Sequence, residues 1–238
     1  MNLVVDFGNT RGKAALFQEK ELVDKLFFQS PEELITQLKS QAIEHVLVSS
    51  VSVAAGNIQL PASSGSVFHL THQLPLPITN QYATPQTLGV DRLAAACGAS
   101  ELFPNENILV IDAGTCVNYE FVDAERNYLG GAISPGLRMR FESVHHFTAR
   151  LPHVGPAPEP SLIGRNTEEC IQSGVQIGII EEIKGVISRY LMKYPNLRVV
   201  LCGGDSAFFE NYLKPTIFVA PDLVLMGLNG ILLHNVKS

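Results

Sequence analysis

Short runs of β-forming apolar residues alternate with longer runs at helical spacing. "NLVVDF", "KAALFQ" and "ELVDKLFFQ" are rich in branched and aromatic residues and parted by turn residues, which predicts a three-stranded meander. "SPEELITQLKSQ" then predicts a helix. Ser30 suits its N-cap, Pro31 its first turn, and Glu33 can close a capping box. "HVLVSSV" and "SVFHL" predict two more strands, residues 71–86 a proline-containing ordered loop, and "GVDRLAAACGASELF" a helix stopped near Pro104.

The opening pattern then returns. "NILVIDAGT" is again an apolar strand ending in aspartate, with Asp112, Gly114 and Thr115 matching Asp6, Gly8 and Thr10. "VNYEFVD" and "YLGGAIS" predict the second and third strands of this copy, with a helix after Ser134–Pro135. Beyond a loop at 150–165 comes the longest helix, from Asn166, which can cap it with Glu169, to Tyr194. Along it Ile171, Val175, Ile179, Ile183, Ile187 and Leu191 recur every four residues, a stripe that suits either an internal core or a dimer face. "LRVVLCGG" predicts a strand running into a glycine pair, and "DLVLMGLNGILLHN" a final apolar helix. The expected fold class is α/β: a duplication whose halves, 1–105 and 106–238, each hold a mixed sheet with flanking helices and face each other across a cleft.

Composition narrows the function. The chain has 238 residues, 46% hydrophobic and only 17% charged, which suits a folded protein with a substantial core. A net charge of −6 argues against non-specific nucleic-acid binding. Cys97, Cys116, Cys170 and Cys202 form no CxxC pair, so a zinc or redox motif has little support and reduced, buried thiols are expected. Asp6 comes too early for a signal peptide and no apolar run reaches the length of a bilayer span; a cytoplasmic protein without membrane attachment is expected.

The candidate chemistry lies where strands end. A carboxylate at the tip of a buried strand, Asp6, can hold Mg²⁺ directly or through water. Gly8 lets backbone approach a phosphate, Asn9 and Thr10 add neutral donors, and Arg11 and Lys13 add positive charge. Asp112 to Thr115 repeats this equipment, so two such turns can clamp the phosphates of ATP. One Asp-x-Gly-x-Thr run is weak evidence; two, each after an apolar strand, are much stronger. No GxxxxGK[ST] occurs, so a Walker P-loop is excluded. Gly203 and Gly204 suit an adenine lying on backbone, and equally an ordinary strand-to-helix turn. Asp91 and Arg92, at the start of a helix, are either a first-turn acid with a surface partner or a proton acceptor and an anion-binding cation. His145 and His146, adjacent on a helix, make a poor metal pair.

Together these residues resemble the type III pantothenate kinases of the actin-like, Hsp70 and sugar-kinase superfamily. The resemblance rests on DFGNTRGK at 6–13, GVDR at 89–92, DAGT at 112–115, YLGGAISPGL at 128–137, TARLP at 148–152, IGRNT at 163–167, QSG at 172–174 and CGGD at 202–205. It implies a duplicated ribonuclease H-like, actin-like fold and ATP-dependent phosphorylation of pantothenate's terminal hydroxyl, the first step of coenzyme A synthesis. It further implies ATP binding by Asp6, Phe7, Gly8, Asn9, Thr10, Arg11, Gly12, Lys13 and Thr115, and Asp91 as proton acceptor. Tyr82, Gly89, Val90, Asp91, Arg92 and Thr167 would contact pantothenate, with Thr167 in a pocket shared across a homodimer. Asp112 would bind a monovalent cation, K⁺ or NH₄⁺, beside the divalent ion that accompanies ATP. Asn118 and Glu120 stand where this family commonly has threonine and aspartate, which puts the cation geometry there in question. A Bvg accessory factor-like regulator and a kinase of a related hydroxylated acid are the alternatives; intact Asp6, Asp91, Arg92, Asp112 and Thr167 favour an enzyme.

Overall fold

The computed structural model describes residues 1–8, 12–38, 41–50, 63–214 and 217–237. Asn9, Thr10 and Arg11, expected at the first phosphate-binding turn, lie outside the described residues. The chain forms two compact units. One comprises Met1–Asn105, Val122–Gly130 and Asp222–Ser238, the other Glu106–Phe121 and Gly131–Pro221.

The first unit is built on β1 (Asn2–Phe7), β2 (Gly12–Gln18), β3 (Glu21–Phe28), β4 (His45–Ser50) and β5 (Val67–His69), in the order β3-β2-β1-β4-β5. β1 to β3 form the antiparallel meander, while β4 lies parallel to β1 and β5 parallel to β4. β1 is apolar without alternation because both its faces are covered. Leu3 and Val5 pack with Ala14, Leu16, Leu34 and Leu38, the last two from α1 (Pro31–Leu38). Val4, with Ala15, Phe17 and Leu47, packs with α2 (Val90–Leu102) and α7 (Leu223–Val236). The α1 start is capped as its sequence suggests: Ser30 Oγ accepts from Glu33 N at 3.3 Å, and Glu33 Oε2 accepts from Gln29 N at 2.7 Å.

In the second sheet β7 (Ile108–Ala113), β8 (Cys116–Val122), β9 (Asn127–Pro135), β10 (Arg198–Cys202) and β11 (Phe218–Val219) take the order β11-β10-β7-β8-β9, all but Val122 and Asn127–Gly130 lying in the second unit. Read from the meander edge, β9-β8-β7-β10-β11 repeats β3-β2-β1-β4-β5, so the internal repeat seen in the sequence is a repeat of topology. Within the loop at 71–86, β6 (Thr79–Asn80) adds a short strand parallel to Asn127–Tyr128 of β9. α3 (Leu137–His146), α4 (Thr167–Gln172), α5 (Gly178–Lys193) and α6 (Ser206–Leu213) complete the helices. Ile171, Val175, Ile179, Ile183 and Ile187 are all buried in one core with Leu109, Ile111, Val199 and Leu201, so the stripe of the long helix serves the interior.

Two segments expected with the second half count with the first unit. α7 crosses α2 closely: a Cβ on Gly227 would strike the Ala94 carbonyl, and one on Gly98 would lie 2.5 Å from the Leu223 carbonyl. The buried Asn229 then accepts from Asn2 Nδ2 at 3.3 Å and donates to the Glu19 carbonyl at 2.7 Å. The tip of the β8–β9 hairpin is held by Arg126, which donates to Ser100 Oγ on α2 at 3.0 Å. Between α4 and α5 one π-helical turn, Ser173–Ile177, interrupts the α-helix expected over the whole stretch. It aims the fully buried Gln176 at Ala157, whose N–H and C=O both bond its amide at 2.8 Å, pinning the loop before α4. Among the described residues no helix is long and apolar enough to cross a membrane.

Candidate active site

In the first unit, pairing register assembles the site. Asp6 stands opposite Lys13 on β2 and Ser49 on β4. Ser49 Oγ donates to Asp6 Oδ1 at 3.1 Å. Burial pushes the Asp6 carboxyl up to about 6; the Asp91 charge adds to this, while the Ser49 hydrogen bond and Lys13 oppose it. A carboxylate held this way gains from a bound cation, which would offset both the burial and Asp91. That fits a divalent-ion role at Asp6.

Asp91 sits in the first turn of α2 and accepts from Arg92 N at 3.0 Å. Gly89 is the residue that makes room for it, because a Cβ there would collide with Asp91 Oδ1. Arg92 is only 8% exposed, with its guanidinium carbon 6.0 Å from the Tyr82 ring centroid. Tyr82 in turn lies over Gly130, at φ +100°, where a Cβ would approach the ring to 3.1 Å. Asp91, Arg92, Gly89 and Tyr82 thus form one cluster in this unit. Three other expected residues also make packing contacts: Val90 belongs to the core, Phe7 meets Phe28 edge-on at 5.2 Å, and Gly12 leaves the space that the Phe28 ring fills. Gly8 is exposed at the end of β1.

In the second unit the Asp112–Thr115 turn is cradled by two glycines. A Cβ on Gly203, at φ +91°, would strike the Ala113 carbonyl and Asp112 Oδ1; one on Gly136 would strike the Gly114 and Thr115 carbonyls. Gly136 N donates to the Thr115 carbonyl at 3.1 Å, and Asp205 N to the Ala113 carbonyl at 2.9 Å. Thr115 is exposed, and a side chain built on Gly114 would meet nothing within 4 Å, so this lip of the turn is open. Burial raises the Asp205 carboxyl above its ordinary range. Glu120 is fully buried, two residues beyond the half-buried Asn118.

Thr167 stands at the start of α4. Asn166 caps the helix by accepting from Glu169 N at 2.9 Å, and Glu169 Oε2 accepts from Arg165 N at 2.7 Å, the cap the sequence indicates. Thr167 lines a mainly apolar groove of about 480 Å³ with Arg140, Ser143, Cys170, Ile171 and Val175. Sequence reasoning missed Ser49, which carried a readable signal as a polar end to an apolar strand that pairs beside β1, whereas Gly136 lay within the YLGGAISPGL motif without its contact being legible.

The profile of the family described as Type III pantothenate kinase matches residues 2–189. A "Type III pantothenate kinase" of Christiangramia forsetii is 45% identical over 242 residues, covering 99% of each chain. Those of Phocaeicola vulgatus, at 44% over the whole of both chains, and Cytophaga hutchinsonii, at 41% over 99% of this chain and 100% of that one, are similar in the same way. Among solved structures, a Baf family protein from Campylobacter jejuni superposes with TM-score 0.65 at 19% identity, covering 99% and 100% of the chains. A glucokinase from an Antarctic psychrotroph gives 0.51 at 13%, covering 98% of each. These two show the shared fold: the actin-like α/β architecture of duplicated mixed sheets. With the profile match, the full-length relatives and the aspartate-tipped strands in agreement, the chain belongs to the type III pantothenate kinase family and is a kinase of pantothenate.

Proposed function

We propose the following division of labour for the transfer of the ATP γ-phosphoryl group to pantothenate. Asp6, Phe7, Gly8, Asn9, Thr10, Arg11, Gly12, Lys13 and Thr115 bind ATP. Asp6 would hold the divalent ion, which when bound neutralises triphosphate charge. Tyr82, Gly89, Val90, Arg92 and Thr167 bind pantothenate, the Arg92 fork suiting its carboxylate. The pantothenate hydroxyl oxygen forms the new bond to the γ-phosphorus, the bond to the ADP oxygen breaks, and Asp91 takes the hydroxyl proton. Phosphoryl transfer depends on positioning and charge neutralisation more than on a strong base.

The observation that carries this reading is the meeting of Asp6, Ser49, Lys13 and Asp91 in one unit, with Gly89 leaving room for the Asp91 carboxylate. Asp112 is the proposed monovalent-cation ligand, for K⁺ or NH₄⁺; the close Gly203 backbone supports a shaped pocket at that carboxylate. A homodimer in which Thr167 serves a shared substrate pocket is supported by the exposed Leu162, Ile163 and Phe147 of the same unit. The four cysteines are free, Cys97 and Cys202 buried as expected but Cys116 only half-buried and Cys170 exposed, and free thiols support a reducing, cytoplasmic setting. A coupled assay of ADP release with ATP and pantothenate, with K⁺ or with Na⁺ alone, tests the reading. Pantothenate-dependent release that requires K⁺ supports it; release indifferent to K⁺ removes Asp112 from that role.

A further inference from the structure

Arg140, Glu182, Tyr119 and Ser134 form a network in the second unit that the assigned roles leave unused. Arg140, on α3, donates through Nε to the Pro135 carbonyl at 2.8 Å and through Nη2 to Ser134 Oγ at 2.7 Å. The same Nη2 pairs with Glu182 Oε2 on α5. The other Glu182 oxygen, Oε1, accepts from the Tyr119 hydroxyl at 3.1 Å. Burial acts against the Glu182 charge, yet hydrogen bonds from Arg140, Ser134 and Tyr119 hold its carboxyl below the ordinary range. Burial, and then Glu182 itself, push the Tyr119 phenol up, so it remains a donor.

The network ends at the Gly114–Thr115 turn from two directions. Ser134 and Pro135 lead directly into Gly136, whose N–H holds the Thr115 carbonyl and whose Cα sits against both turn carbonyls. Tyr119 is on β8, four residues after Thr115. One carboxylate on α5 therefore fixes both the strand that leaves the turn and the segment on which the turn rests.

We infer that Glu182 and Arg140 are positioning residues for the Thr115 turn, setting its aim at the nucleotide. This rests on the reading of Thr115 as an ATP-binding residue. Neither need touch ATP; displacement of a reacting group by about 1 Å can cost roughly 10²-fold.

Arg140 also lines the Thr167 groove, so the test uses Glu182→Gln, Tyr119→Phe, their double variant and Thr115→Val. Arg198→Ala, which removes the surface pair with Glu106 in the same unit, is the control for stability alone. Steady-state kinetics are measured against each substrate, with thermal unfolding in parallel. Glu182→Gln should lower kcat/KM for ATP by roughly 10- to 100-fold while leaving the pantothenate KM unchanged. The double variant should lose less than the product of the singles, since both act through one carboxylate. The Arg198→Ala kinetics should match the parent. Thr115→Val with unchanged ATP kinetics ends the reading of the turn, and this inference with it. A clear Thr115→Val defect beside normal Glu182→Gln kinetics overturns the positioning role alone. So does a Glu182→Gln effect that falls equally on both substrates.

Discussion

Replacing Asp6 by asparagine sets the stability of the first unit against its proposed use of a charge. Burial, helped by Asp91, raises this carboxyl from 3.8 to about 6 in the folded protein. In the unfolded chain it titrates near the lower value. Between about pH 4 and 6 the folded state therefore binds more protons than the unfolded one, and stability falls as pH rises through that window. Above the window, holding the carboxyl at about 6 instead of 3.8 costs the fold about 3 kcal/mol. Asparagine carries no charge, and its side-chain oxygen can still accept from Ser49. In metal-free protein, urea unfolding at pH 8 should show Asp6→Asn more stable by up to about 3 kcal/mol. The gain should shrink towards zero near pH 4, and the same variant should lose ATP binding at every pH. A stability difference that does not change with pH, or a loss of stability at pH 8, would refute the argument that this site holds a charge at a cost to the fold.

Three further substitutions follow from close contacts. Gly89→Ala should cut turnover by roughly tenfold or more by displacing the Asp91 carboxylate, with little change in melting temperature. Gly227→Ala should act the other way, lowering stability by about 1–3 kcal/mol through its collision with Ala94 while substrate KM values hold; denaturant titration measures this. Arg92→Lys keeps the charge but loses the planar fork beside Tyr82. Its pantothenate KM should rise about tenfold while the KM for ATP stays put, as read from initial rates against each substrate.

What the sequence could show was mostly local. Buried strands such as Leu3–Val5 and Ile108–Ile111 announce themselves as apolar runs, and their aspartate ends stand out because a carboxylate there breaks the pattern. Caps were legible for the same reason: Ser30 with Glu33, and Asn166 with Glu169, are decided within four residues. The placement of α7 was not, because Gly98 and Gly227 read in sequence as helix-weakening residues and become meaningful only when two helices cross. The contacts of Gly12 and Phe7 with the Phe28 ring were not legible either, because they arise only when β3 pairs beside β2. Arg140 and Glu182 look like ordinary surface charges; 42 residues separate them, and no local pattern links them to Thr115.

In the proposed mechanism nucleotide binding and proton acceptance belong to different aspartates. Asp91→Asn tests this most directly, with ATP affinity measured by calorimetry and phosphoryl transfer by label moving from γ-labelled ATP to pantothenate. ATP affinity should match the parent, and transfer should fall by about 10²- to 10⁴-fold. Transfer close to the parent rate, or loss of ATP affinity in step with it, would contradict the account.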